Sequence, residues 1–222
     1  MLVSEVFHSI QGEGKLAGMP SVFVRLSGCN LRCAWCDTPY ASWEPEGERD
    51  TPEHLAGRVN AVGCGHVVLT GGEPMIWDNV GDLIDRLAGH LTIETAGTIW
   101  RDVRCDLWSI SPKLSNSTPP GKLAVAHDER RLRPDVIQRM IDAGPAFQLK
   151  FVVADPADLT EIRHLLGQLK GWEPGDVLLM PEGTDSATLR ERQGWLVDLC
   201  RSEGFRYCPR LHIELFGNTR GT

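Results

Sequence analysis

Cys29, Cys33 and Cys36 fall in C-N-L-R-C-A-W-C, a C-x3-C-x2-C spacing directly after the turn Ser27-Gly28. A free thiol with a pKa near 8.5 is only about 3% thiolate at neutral pH, so three thiols on one loop call for a metal centre that holds them ionised. Three cysteines on a four-iron cube leave one iron open, whereas an electron-carrying cluster usually takes four. Zinc is the competing reading, because C-x2-C pairs are common zinc ligands. Such sites usually add a second short-spaced pair, and Cys64, Cys105, Cys200 and Cys208 are too scattered to make one. Seven cysteines, an odd and clustered set, do not read as a disulfide framework.

Other segments place small or polar residues where chemistry is expected. L-T-G-G-E-P (Leu69 to Pro74) puts two glycines where a Cβ would keep a ligand from the backbone. Read alone, it is as well explained by a plain strand-to-helix turn. E-T-A-G (Glu94 to Gly97), S-P-K (Ser111 to Lys113) and M-P-E-G (Met180 to Gly183) follow further apolar runs. Rim salt bridges account for Glu94, Lys150 and Glu182 as well as ligand roles do. Asp37 and Thr38, just after Cys36, suit either a hard oxygen-preferring cation or an Asx or Thr turn, and sequence physics favours the turn.

The elements that must position these residues follow a strand-then-amphipathic-helix rhythm, the pattern of βα units around a parallel sheet. Strands are expected at Ser21 to Leu26, His66 to Thr70, Leu91 to Thr95, Leu107 to Ile110, Gln148 to Val153, Val177 to Met180 and Arg206 to Cys208. Helices are expected at Asn79 to Ala88, Pro134 to Ala143, Ala157 to Leu169 and Ser186 to Ser202. Pro134 and Pro156 suit first turns, Asp185 and Ser186 N-caps, and Gly144 and Gly204 C′ positions. Pro39 to Thr51 and Ser115 to Arg133 read as loops, and helices after the cysteine loop are less obvious than elsewhere, especially between Thr51 and Gly63. In a parallel α/β barrel the loops after the strands carry the chemistry, and the motifs stand there.

At 222 residues, 41% hydrophobic and 24% charged, one globular domain spanning residues 1–222 is expected. The net charge of −7, without a dense Lys/Arg cluster, argues against extended nucleic-acid binding. The apolar stretches are far short of the roughly 20 residues that span a bilayer. The N-terminus lacks a basic start and a long apolar run, so no signal peptide and a cytoplasmic location are expected.

The cysteine spacing, with Trp35 before the last cysteine, resembles the defining motif of the radical S-adenosylmethionine (SAM) superfamily. The resemblance implies a partial, modified TIM-type barrel with a shortened core, and a 4Fe–4S cluster on Cys29, Cys33 and Cys36 whose open iron chelates SAM. It also implies that Gly72 and Glu73 meet the SAM amino group, that Trp35, Asp37, Ser111 and Lys113 contact SAM, and that Met180 holds its adenine. A narrower resemblance comes from F-H-S-I-Q-G-E-G (Phe7 to Gly14), from Arg25, from C-D-T after the cluster, and from R-L-H-I-E-L-F-G-N-T-R-G-T at the end. These are similar to the 7-carboxy-7-deazaguanine synthase family of queuosine and 7-deazapurine biosynthesis. That family implies a lyase reaction in which 6-carboxy-5,6,7,8-tetrahydropterin contracts to 7-carboxy-7-deazaguanine with loss of ammonia.

By the same resemblance Ile10, Gln11, Gly12 and Glu13 bind the pterin, Arg25 binds its carboxylate and Thr70 adds a contact. Thr38 takes magnesium, an external flavodoxin- or ferredoxin-type donor supplies electrons, and the chain forms a homodimer. Thr222 either offers its terminal carboxylate to the substrate or belongs to a disordered end, and the disordered end is the stronger expectation. Read without the family, Arg25 is an inward strand arginine in an ordinary ion pair, and Gln11 and Glu13 decorate a hairpin turn. Arg210 and His212 either reach the site or pair along the last strand. An activase that installs a glycyl radical on a partner protein and a noncatalytic iron–sulfur carrier are the rival functions; the missing fourth cysteine argues against the carrier.

Overall fold

The apolar runs of the sequence become the strands of one sheet in the computed structural model, which describes residues 1–144 and 146–222. The strands are β1 (Leu2–Ile10), β2 (Pro20–Leu26), β3 (Glu48–Arg49), β4 (His66–Gly71), β5 (His90–Thr95), β6 (Leu107–Ile110), β7 (Ala146–Val153), β8 (Val177–Pro181) and β9 (Arg206–Tyr207). Their order is β3-β1-β2-β4-β5-β6-β7-β8-β9. β1 runs antiparallel to β2 and β3, and every pair from β2 to β9 is parallel. The sheet does not close: it is a partial barrel with edges at β3 and β9.

Successive strand residues point to opposite faces. Val67, Leu69, Leu91, Ile93, Trp108, Ile110, Leu149, Phe151, Val177 and Leu179 join the main apolar core. Their neighbours Thr70, Glu94, Ser109, Lys150, Val152 and Met180 face the concave side and line a cavity. That side is unusually polar for a barrel interior, and its groups are paired. His66 lies 2.6 Å from the Ser21 hydroxyl and 2.8 Å from that of Thr92, and Gln148 donates to Ser109 at 2.7 Å.

The helices are α1 (Pro39–Ser42), α2 (Pro52–Asn60), α3 (Val80–Ile84), α4 (Ala124–Arg131), α5 (Pro134–Asp142), α6 (Asp158–Leu166), α7 (Ser186–Glu203) and α8 (Leu211–Phe216). α5 starts at Pro134 and buries Val136, Ile137, Met140 and Ile141, the stripe expected of a helix lying on a sheet. Asp185 caps α7 by accepting from Ala187 and Thr188 N–H, and Gly204 ends it in the left-handed region.

Several expectations need correction. β1 is a strand of nine residues that the sequence did not announce, because its two faces are unevenly covered and no clean alternation results. The Ser115 to Arg133 stretch contains α4, which buries only His127 and so shows no apolar period. The Pro39 to Thr51 stretch contains α1 and β3, and a capped helix, α2, lies between Thr51 and Gly63. α3 is shorter than Asn79 to Ala88, and β9 stops at Tyr207. Arg210 and His212 do not pair along a strand: they open α8.

Two irregular segments finish the partial barrel. The β1–β2 connection crosses to the far strands: Lys15 N–H donates to the Gln148 side chain at 2.7 Å and its ammonium reaches Asp176 at 2.6 Å. The C-terminal segment returns from β9 to β1, where Leu211 N–H donates to Gly12 O at 2.9 Å and Arg220 pairs with Glu5 at 2.8 Å. No helix is long and apolar enough to cross a membrane.

Candidate active site

The concave face and these two segments enclose a cavity of about 470 Å³. The loop after β2 supplies Cys29, Cys33, Cys36, Trp35, Asp37 and Thr38 to one wall. Leu31, Cys33 and Ala96 pack together beneath it, and the Trp35 and Trp43 indoles donate to Asn116 and to Cys33 O at 3.1 and 3.0 Å. Burial pushes the Cys29 thiol up to about 12 and the Cys33 thiol up to about 11, so cationic irons are what would hold both as thiolates. Leu31 N–H donates to Cys29 Sγ at 3.3 Å, and the Ser42 hydroxyl lies 3.1 Å from Cys36 Sγ. Three sulfurs on one wall, met by hydrogen-bond donors, fit an iron–sulfur cluster. Among the described residues, no three His, Cys, Asp or Glu side chains converge as they would around a single ion.

The glycines at the end of β4 are there for close approach. A Cβ on Gly72 would lie 2.5 Å from Ala41 O and 2.8 Å from Cys29 Cβ, and closer still to Gly28 O, so only glycine lets β4 abut the cysteine loop. Gly71 and Gly72 therefore line the cavity. Glu73, expected beside them, does not. Its carboxylate is fully buried and accepts from Met75 N–H at 3.0 Å, Ala96 N–H at 2.8 Å and the Thr95 hydroxyl at 2.9 Å. Burial raises its pKa against those hydrogen bonds. The side chain ties the ends of β4 and β5 together and presents no atom to a ligand in the cavity.

The remaining candidates, Ile10, Gln11, Gly12, Glu13, Arg25, Thr70, Ser111, Lys113, Met180 and Thr222, all line this one cavity. Gln11 is buried and donates to Glu94 at 3.2 Å, while Thr70 donates to the other Glu94 oxygen at 2.9 Å. A Cβ on Gly12 would meet the His212 ring at 2.7 Å or less. Lys113 donates to Ser111 O at 2.6 Å and to its hydroxyl at 2.9 Å. Arg25 donates through Nε to Glu5 at 3.0 Å.

Glu13 sits at the centre of a buried charge cluster. It pairs with Lys150 and, at 3.2 Å, with Arg210, whose guanidinium also pairs with Asp37 and donates to Gly183 O. Burial opposes the charge on Glu13, but Lys150, Arg210 and His212 outweigh it and hold the carboxyl well below the usual range. Burial likewise opposes the charge on Asp37, and Arg210 outweighs it. Lys150 is raised, since Glu13 and Glu94 outweigh its burial. Of the three residues that rim salt bridges could explain, only Glu182, paired with Arg192, makes such a bridge outside the cavity wall. Lys150 and Glu94 are cavity residues, as are His212 and the segment Asn218 to Gly221, while Arg210 reaches the site through Glu13 and Asp37; Glu5, behind Arg25, is the residue that motif spacing did not reveal.

The chain is similar to known proteins over its whole length. A family model described as the radical SAM superfamily matches residues 23–168. The 7-carboxy-7-deazaguanine synthase of Rhodopirellula baltica is 49% identical over 100% of this chain and 89% of its own length. That of Halobacterium salinarum is 45% identical over 99% and 92%. Among solved structures, QueE from Escherichia coli superposes with a TM-score of 0.68 at 27% identity, over 93% of this chain and 92% of that one. SuiB from Streptococcus suis, bound to S-adenosylmethionine, shares the fold with a TM-score of 0.52 at 13% identity, over 83% and 51%.

Proposed function

Because the chain belongs to the 7-carboxy-7-deazaguanine synthase family of the radical SAM superfamily, we propose that its cavity contracts 6-carboxy-5,6,7,8-tetrahydropterin to 7-carboxy-7-deazaguanine. The observation that carries the reading is the convergence of Arg25, Gln11, Glu13 and Thr38 on the cavity that also holds the three cysteines. Cys29, Cys33 and Cys36 would hold a 4Fe–4S cluster that would pass one electron to bound SAM, whose cleavage would supply the radical that takes a hydrogen atom from the substrate. What the chain must do is bind, orient and shield the pterin.

Arg25 has the chemistry to take the substrate carboxylate, because a guanidinium offers two parallel N–H donors to it. Glu13, kept ionised by Lys150 and Arg210, accepts from the N–H groups of the pterin edge, and the Gln11 amide pairs beside it. Phe7 and Phe23, stacked 4.9 Å apart, form an apolar wall that excludes water from the ring. Trp35, Asp37, Gly72, Ser111, Lys113 and Met180 line the same cavity and are the residues we assign to SAM. Thr38 would offer its hydroxyl to a magnesium ion, which would supply positive charge for the rearrangement. Electrons come from an external flavodoxin- or ferredoxin-type donor, and the chain works as a cytoplasmic homodimer.

The test is an anaerobic assay of the reconstituted protein with SAM, dithionite, magnesium and the carboxypterin, read by mass spectrometry. Formation of 7-carboxy-7-deazaguanine supports the reading, and 5′-deoxyadenosine without product overturns the substrate. Thr38→Ala should keep the cluster and lose most of the response to magnesium; an unchanged response removes that assignment.

A further inference from the structure

Glu5 stands on β1 directly opposite Arg25 on β2, just past a register shift between Val3 and Glu5. One of its oxygens accepts from Arg25 Nε at 3.0 Å, and the Tyr40 hydroxyl lies 3.4 Å from the same oxygen. Its other oxygen accepts from Arg220 Nε at 2.8 Å. Arg220 belongs to the C-terminal segment, lies 3.9 Å over the Tyr40 ring and reaches Glu46 at 2.9 Å. The Arg25 guanidinium lies 5.8 Å from the centre of the Phe7 ring. Among the described residues neither of its Nη groups has a hydrogen-bond partner, and the side chain lines the cavity. One edge of the guanidinium is thus committed and one face covered, which leaves the two Nη groups as the pair available to a ligand.

We propose that Glu5 is a positioning residue for substrate binding. It fixes Arg25 by its Nε edge so that both Nη donors meet the substrate carboxylate, and through Arg220 it ties that arrangement to the C-terminal segment. The inference rests on the reading that Arg25 receives this carboxylate. Its physical basis is pre-organisation: an arginine held in one rotamer by a charge-assisted bond loses less freedom when the ligand arrives. Sharing one carboxylate between two arginines makes the tail part of the same device, because losing Arg220 frees one Glu5 oxygen and loosens its hold on Arg25.

The test is calorimetric binding of 6-carboxypterin and of pterin without the carboxylate to the reconstituted, SAM-loaded protein. The readout is the ratio of the two affinities. Glu5→Gln keeps the shape and removes the charge; it should lower the preference for the carboxylated ligand by about fivefold to tenfold and leave the affinity for plain pterin as it was. Arg220→Gln should lower it in the same direction by a smaller factor. Arg25→Gln should abolish it. A preference that survives Arg25→Gln sinks the underlying reading of Arg25. A preference lost with Arg25→Gln but intact in Glu5→Gln leaves Arg25 standing and overturns the role of Glu5. Equal loss for both ligands in Glu5→Gln shows a merely structural residue and also overturns it.

Discussion

Replacing Gly72 by alanine adds one methyl group at the point where β4 meets the cysteine loop. The new carbon would stand 2.5 Å from Ala41 O and 2.8 Å from Cys29 Cβ, where real Cβ contacts begin at about 3.0 Å, so the loop must retreat by about half an ångström or more. Nothing flexible can absorb this. Ala41 O already accepts from Gly28 N–H at 2.7 Å and Gly28 O from Glu73 N–H at 2.9 Å, so relief stretches two backbone hydrogen bonds. Overpacking of this kind costs about 1–3 kcal/mol, and immobile neighbours place it at about 2–3 kcal/mol. For a chain of this size that corresponds to a fall of roughly 4–12 °C in Tm, measured on the cluster-free protein. Cys29 moves with the loop, so iron and sulfide bound per chain after anaerobic reconstitution should fall as well. Gly72→Ala protein with an unchanged Tm and a full complement of iron would refute the close-approach argument.

Glu73→Gln should lower stability by about 2–3 kcal/mol in urea denaturation, because its amide can offer only one oxygen to the three donors around the buried carboxylate. An unchanged midpoint with about tenfold weaker SAM binding would instead show the side chain meeting the ligand. Lys150→Met leaves Glu13 with Arg210 and the longer His212 contact and should cost roughly 2–3 kcal/mol at pH 7; a neutral result in the same denaturation would show that the pair carries no stability. His66 is buried, and chiefly that burial lowers its pKa to about 4, below the 6.5 of the unfolded chain. Its contribution is therefore complete above pH 6.5 and is lost as pH falls towards 4, by about 2 kcal/mol between pH 7 and 5. His66→Gln should flatten that part of the stability profile, and an equal slope in wild type and variant would refute the assignment.

The cysteine loop, the paired glycines and the strand ends were legible in the sequence because each is a short-range pattern with one dominant physical cause. β4 to β8 announced themselves as apolar runs covered on one side by helices. β1 and α4 did not: β1 alternates poorly, and α4 keeps most of its surface in water, so neither carries a period to read. The orientation of Glu73 was illegible for a different reason, since a motif fixes which residue stands at a strand end but not which way its side chain turns. The charge cluster was illegible because its bonds are long-range. Glu13 and Lys150 are separated by 137 positions and Glu13 and Arg210 by 197, and nothing local marks them as partners.

That long-range cluster explains why the barrel is left open and its interior polar. A closed barrel of this type fills its interior with layers of branched apolar side chains, which leaves no room for a ligand the size of SAM with a pterin. Here stability is carried by the outer apolar layer between sheet and helices, where Leu69, Ile93, Ile110, Leu149, Phe151 and Leu179 are fully buried. The concave side is then free to hold groups that stabilise little by themselves. A buried ion pair rarely exceeds what apolar packing at the same place would contribute, so Glu13, Lys150, Arg210 and Asp37 are poor choices for stability alone. They do join three segments: the β1–β2 loop through Glu13, the cysteine loop through Asp37 and the start of α8 through Arg210. The C-terminal segment makes a second such connection through Arg220 and Glu5. Charged side chains thus close on the concave side what strand pairing leaves open, and they do so around the volume where a charged substrate must be held.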